Sequence, residues 1–288
     1  MPSRHFAAAI VIFWLGTTGW MLYRDLWPRL NTRDAPPFTI DLDEEAGGER
    51  SAVHWIVRWK GQRVGSANTW VQRHWPTNDT YQLRSKYQFE SFKMSILDVK
   101  KMDSTYWVTK EGELREVEAK VTIAIQGFRG PMEVKVTGVV EDHRLTPHLR
   151  ITNSPLGDRE LDLDAVEVPA QHRMLSPLQP WNRLADVRPN QRWQITVFDP
   201  LADSIAAALP GASGGTRTLE AGVRESTDQD FQFVRGQKTP CTVIEYRGEN
   251  LKALTWIRTS DGLVLRQEAI RNENTPQEER LVLERDLQ

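Results

Sequence analysis

The 288-residue chain has a single cysteine, Cys241, and a formal charge of only −2. One cysteine excludes any disulfide within the chain, so a domain of about 250 residues must be held by its core alone. A near-neutral balance with scattered Lys and Arg leaves no basic stripe for a phosphate backbone, and nucleic-acid binding is set aside. No G-x-S-x-G elbow precedes a helix, and the glycine-rich GASGG stretch has neither P-loop lysine nor strand-to-helix context. A flexible hairpin tip accounts for it. The chain is read as non-enzymatic, with no cofactor and no metal.

The remaining chemistry-bearing residues have plain explanations. Cys241 lies in TPCTVIEY, a strand pattern with no helix terminus to lower its pKa, so a buried structural thiol is expected. His143 and His148 sit near Glu141 and Asp142. A metal needs three or four converging ligands, and spacing of five puts this pair on opposite faces of a strand. Asp158, Glu160, Asp162 and Asp164 alternate with Leu161 and Leu163. That reads as a polar face over an apolar one, not as two carboxyls in contrasting environments.

What is present begins with an uncharged run, FAAAIVIFWLGTTGWMLY (Phe6–Tyr23), about 18 residues and near the lower limit for spanning a bilayer. Trp20, Tyr23 and Trp27 suit an interfacial belt at its far end. TTGWMLYRD is a poor cleavage site, no cysteine follows for lipid attachment, and no polar stripe marks a buried helix. The run is read as an uncleaved single-span anchor over residues 1–23. Arg24, Arg29 and Arg33 on the far flank argue for a cytoplasmic domain, whereas a short basic head before an apolar run argues for export. Export to a periplasmic face is the expectation adopted. Residues 24–50, with Pro36-Pro37 and DLDEEAGGE, read as a polar linker.

From residue 51 to 288 period-2 alternation dominates. VHWIVRWK and RVGSANTWVQR flank a turn at Gly61. TYQLRSKYQFESF puts Tyr81, Leu83, Ser85, Tyr87 and Phe89 on one face. Further strands meet at Glu111-Gly112 and at Glu141-Asp142-His143, as in a meander. A connection with four prolines (Pro169, Pro177, Pro180, Pro189) interrupts the pattern, and long loops of this kind often pack across an opening. A short helix is expected at Ala202–Leu209, strands resume to the end, and Asp261-Gly262 signals a two-residue hairpin. The reading is an all-β antiparallel domain, a large curved sheet or open half-barrel, with a subdivision near 190 as the alternative.

Three stretches carry a resemblance: WIVRWKGQRVGSANTWV, PWNRLADVRPNQRWQITVFDPL and LTWIRTSDGLVLRQEAI. They resemble a group of bacterial exported β-rich proteins of unknown function, similar in fold to the outer-membrane lipoprotein carriers. The resemblance implies a half-barrel around an apolar concavity and assigns no functional residue. A retained anchor departs from the soluble carriers.

Eleven tryptophans are many for this length. Trp55, Trp59, Trp70, Tyr87, Trp107, Trp193 and Trp256 are candidates for lining an apolar pocket, with core packing as the plainer role. The partners expected are a membrane through residues 6–23 and a lipid, acylated protein or other apolar ligand. An accessory role, pairing with another envelope protein through a sheet face or edge, is the alternative.

Overall fold

A computed structural model describes residues 40–47, 52–74, 79–94, 97–168, 179–198, 217–224, 232–234, 237–249 and 251–287, with Thr17 and Trp20. The anchor expected over 6–23 (these two helical residues apart), the helix expected at 202–209 and the GASGG tip lie outside the described residues. Among the described residues no helix is long and apolar enough to cross a membrane.

The alternating segments form β1 (Val53–Trp59), β2 (Gln62–Arg73), β3 (Thr80–Met94), β4 (Leu97–Thr109), β5 (Leu114–Ile125), β6 (Pro131–Glu141) and β7 (Arg144–Thr152). Two short pieces, β8 (Arg159–Asp162) and β9 (Val166–Glu167), both pair with β7. The C-terminal part supplies β10 (Arg192–Val197), β11 (Arg217–Arg224), β14 (Cys241–Arg247), β15 (Leu251–Arg258), β16 (Val264–Arg271) and β17 (Glu279–Arg285). A separate two-stranded ribbon joins β12 (Gln232–Val234) to β13 (Gln237–Thr239).

All but that ribbon belong to one antiparallel sheet, which runs β10-β11-β14-β15-β16-β17-β1-β2-β3-β4-β5-β6-β7-β8. The last strand lies beside the first, with Trp55 opposite Arg285 and Trp59 opposite Leu281. The sheet is not closed, since β8 and β10 end the order. Leu145 on β7 and Trp193 on β10 nonetheless share one core, so the sheet curls around it.

Turn chemistry explains the early hairpins. Lys60 and Gly61 both have positive φ (49° and 82°), as do Asp142 and His143 (48° and 59°), the geometry of two-residue turns matched to strand twist. Gly65 is required for another reason: a Cβ there would come within 2.1 Å of the Gln88 carbonyl, at the point where the pairing of β3 with β4 becomes irregular. Asp261-Gly262 departs from expectation. β15 ends at Arg258 and β16 begins at Val264, so the connection is longer than two residues. The Asp261 carboxylate is engaged by Arg258 and by the Leu263 N–H, which favours the wider turn.

One element falls inside the stretch read as linker. Helix α1 (Leu42–Gly47) is started by Asp41, whose carboxylate accepts the N–H groups of Asp43 and Glu44. Leu42 is buried in the common core.

Candidate functional site

The two ends of the curled sheet differ. At one end lie α1, the β4–β5 and β6–β7 turns, and residues Gln179–Leu184 of the proline-rich connection. Asp43 binds the Lys110 ammonium at 2.6 Å, the Tyr81 hydroxyl and the Arg73 guanidinium. Lys110 first, then Tyr81 and Arg73, hold its pKa well below the usual carboxylate range. The same contact raises the Tyr81 phenol.

The connection is fixed from several sides. Arg285 donates to the Asn182 side chain at 2.6 Å and to its carbonyl at 3.2 Å. The Val264 N–H donates to the same carbonyl, Leu184 bonds Gly262, and Gln267 donates to the Gln179 carbonyl. Trp181 and Leu184 are buried beneath it. The recess left between α1, this strap and β1–β3, lined by Glu45, Val53, Leu83 and Trp181, is about 20 Å³, room for one water. This end is shut.

The other end, at the β1–β2, β3–β4, β5–β6 and β7–β8 turns, is different. Register sets the inward side chains there in rows. Nearest the shut end, Ser85, Ser104, Ala119 and Val136 are buried, the serines bonded to each other at 2.7 Å. One row further, Tyr87, Met102, Val121 and Val134 are only half-buried, and so are Phe92, Val99, Ile123 and Met132 beyond them. Trp59 meets Phe92 edge-on (5.3 Å between ring centroids), and Phe89 stacks on both Phe92 and Tyr87. Burial of the Tyr87 hydroxyl raises its pKa, while the residue as a whole stays half-exposed. The result is an aromatic wall facing a half-exposed aliphatic floor.

The seven aromatic candidates therefore divide. Trp59 and Tyr87 belong to this wall. Trp55 also faces inward but is core, with its Nε1 on Thr69 and Arg285 over its ring. Trp193 packs edge-on against Tyr246 in the C-terminal half. Trp70, Trp107 and Trp256 face the opposite side. Trp70 alternates with inward Thr69 and Val71 and lies under Lys86 (5.5 Å), Trp107 pairs with outward Gln82, and Trp256 lies under Arg266 (4.9 Å). Phe89, Phe92 and the aliphatic floor were not among the candidates. Continued alternation along β3–β6 is the signal for them.

Among the described residues no three His, Cys, Asp or Glu side chains converge on a metal position. His148 is held by Asp162 at 2.7 Å, and Glu160 faces Arg150 at 3.2 Å. Cys241 is fully buried, its thiol donating to the Thr239 carbonyl.

The chain is thus a β-rich protein built on one large, open antiparallel sheet. No family model matches its sequence, and no curated protein matches it either. Among solved structures it is similar to a crystal structure described as a beta-barrel-like protein of domain of unknown function DUF1849 from Brucella abortus. The two share 10% identity and a TM-score of 0.39, over 82% of this chain and 98% of that one.

Proposed function

We propose that this chain is a membrane-anchored envelope protein, without enzymatic activity, that holds a lipid, an acyl chain or a similar apolar ligand against the open end of its inner face. The observation that carries this is the gradient along β3–β6. The same inward rows are sealed at one end and half-exposed at the other, with Phe92, Val99, Ile123 and Met132 outermost. Each CH₂ taken from water onto such a surface contributes about 0.8 kcal/mol. Trp59, Phe89 and Phe92 give the wall a rigid shape, and the strap closes the far end so that a ligand enters from one side. Export and anchoring rest on the apolar run at 6–23 and on the resemblance stated above.

Site-specific photocrosslinking tests the reading in the full chain within its membrane. A benzophenone amino acid replacing Phe92 is expected to yield adducts of lipid or acyl mass, and the same group at outward Trp107 none. Purely intramolecular products at Phe92 would rule out an apolar occupant. A second reading, an accessory subunit, has one observation of its own. β8 is exposed at all four residues, Leu161 at 45%, with no strand beyond it among the described residues. Crosslinks from Leu161 to another protein would favour that reading.

A further inference from the structure

We infer that the mouth of the open end is a docking surface for an anionic lipid bilayer, an inference that deepens the ligand reading above and rests on it. Among the large apolar side chains exposed in the described residues, two occupy neighbouring turns at this end: Phe128 (38% exposed) between β5 and β6, and Leu156 (76%) between β7 and β8. Adjacent hairpins place their tips about 10 Å apart, two strand spacings. Single exposed leucines are ordinary, but a pair at the rim of an apolar concavity is a candidate interaction surface.

Both turns present these side chains on fixed backbone. The Phe128 N–H bonds the Ile125 carbonyl between Gly127 and Gly130, which have positive φ. In the second turn the Leu156 N–H bonds the Ser154 hydroxyl, Gly157 bonds the Ser154 carbonyl, and the Asn153 N–H is taken by Asp158.

Charge selects the partner. Lys60 and Arg129 stand exposed on turns of this end and Arg63 beside the first of them at the start of β2, and none is ion-paired among the described residues. Along the strands behind them the basic side chains are largely matched, Lys101 with Asp103, Lys120 with Glu133 and Lys135 with Glu118. The acids of the same four turns are Glu90, the already engaged Asp158 and Asp98, which Lys100 holds. On the neighbouring β14–β15 and β16–β17 turns Glu273 and Glu278 are paired with Lys252 and Arg280, and Glu249 and Glu279 add to the acids of this end. Exposed apolar tips flanked by unmatched cations suit a surface that is apolar below and negative above, which is a bilayer carrying anionic headgroups. Docked this way, the mouth opens onto the acyl region from which an apolar ligand would come.

The test uses the full chain in phosphatidylcholine vesicles with or without phosphatidylglycerol. A bimane label on Gln126→Cys, with buried Cys241 left unlabelled, reports the turn. Nitroxide-bearing lipids are expected to quench the label when phosphatidylglycerol is present, and the Phe128→Asp/Leu156→Asp pair to abolish the quenching. Lys60→Gln and Arg129→Gln should each lower the docked-to-undocked ratio about fivefold. Absence of quenching in the unsubstituted chain overturns the inference, as does quenching that survives the double substitution. So does a label shift that needs an added protein and not anionic lipid. The Phe92 crosslink separates the two readings: retained without quenching, it overturns the docking surface alone, and quenching without it overturns the concavity.

Discussion

Strands β14–β16 and strands β4–β7 belong to the same sheet but are solvated in different ways. In β15 five successive residues, Ala253 to Ile257, are buried, so both faces are covered. One face enters the common core through Ala253 and Ile257. The other joins Leu254 and Trp256 to Cys241, Val243, Leu265 and Ile270 in a second apolar cluster. Even Glu268, 2% exposed, is held there between Arg266 and Arg280, each at 2.9 Å. In β4–β7 the outer face is wet and laced with cross-strand ion pairs, and the inner face is sealed over part of its length only. Strands covered on both sides act as scaffold. Strands with apolar surface still facing water are where an apolar partner gains free energy.

Paired truncations give the sharpest test of that contrast. Ile244→Ala, at a fully buried site of β14, is expected to cost about 2–5 kcal/mol in urea unfolding, as buried truncations do. Ile123→Ala on the open floor should cost markedly less, and equal losses would erase the distinction.

A smaller effect is expected at Tyr246, fully buried on the inner face with no hydrogen-bond partner for its hydroxyl among the described residues. Burial raises its pKa. Tyr246→Phe removes an unsatisfied polar atom and should leave stability unchanged or higher by about 1 kcal/mol. A clear loss would mean that the hydroxyl has a partner or a ligand.

The smallest is local. Asp43→Asn should speed amide exchange in α1 while leaving global unfolding nearly unchanged. Because the folded-state pKa of Asp43 is depressed, its contribution is complete above the ordinary carboxylate range and is lost only as pH falls through that lower value. Protection of α1, corrected for intrinsic rates, should therefore be alike at pH 7 and at mildly acid pH. Loosening in mild acid would show that another group sets the clasp.

How far the sequence carried depended on the range of each interaction. Hairpins at Lys60-Gly61 and Asp142-His143 were legible because turn and flanking alternation lie within a few residues. Parity correctly put Trp55 and Trp59 on one face, and Tyr81, Leu83, Ser85, Tyr87 and Phe89 on another strand's inner face. Ring size was a poor guide to depth: Trp70 and Trp107 face out because smaller Thr69, Val71, Tyr106 and Val108 take the inward parity beside them. Helix α1 was hidden by its acidity, although Asp41 followed by Glu44 is the spacing of a capping pair. That the proline-rich connection packs across an opening was legible from its length and prolines, but which end it covers was not, since Arg285 gripping Asn182 joins positions that nothing local connects.

The pairing of β17 with β1 also sets a timetable. The meander from β1 to β7 needs only neighbours and can zip as it emerges from the ribosome. β1 keeps one bare edge until Glu279–Arg285 has been made, so the nascent protein carries an unpaired strand while every strand from β2 to β16 is being added. A long wait of that kind makes early release or a chaperone hold on β1 matter more to yield than the final stability of the sheet.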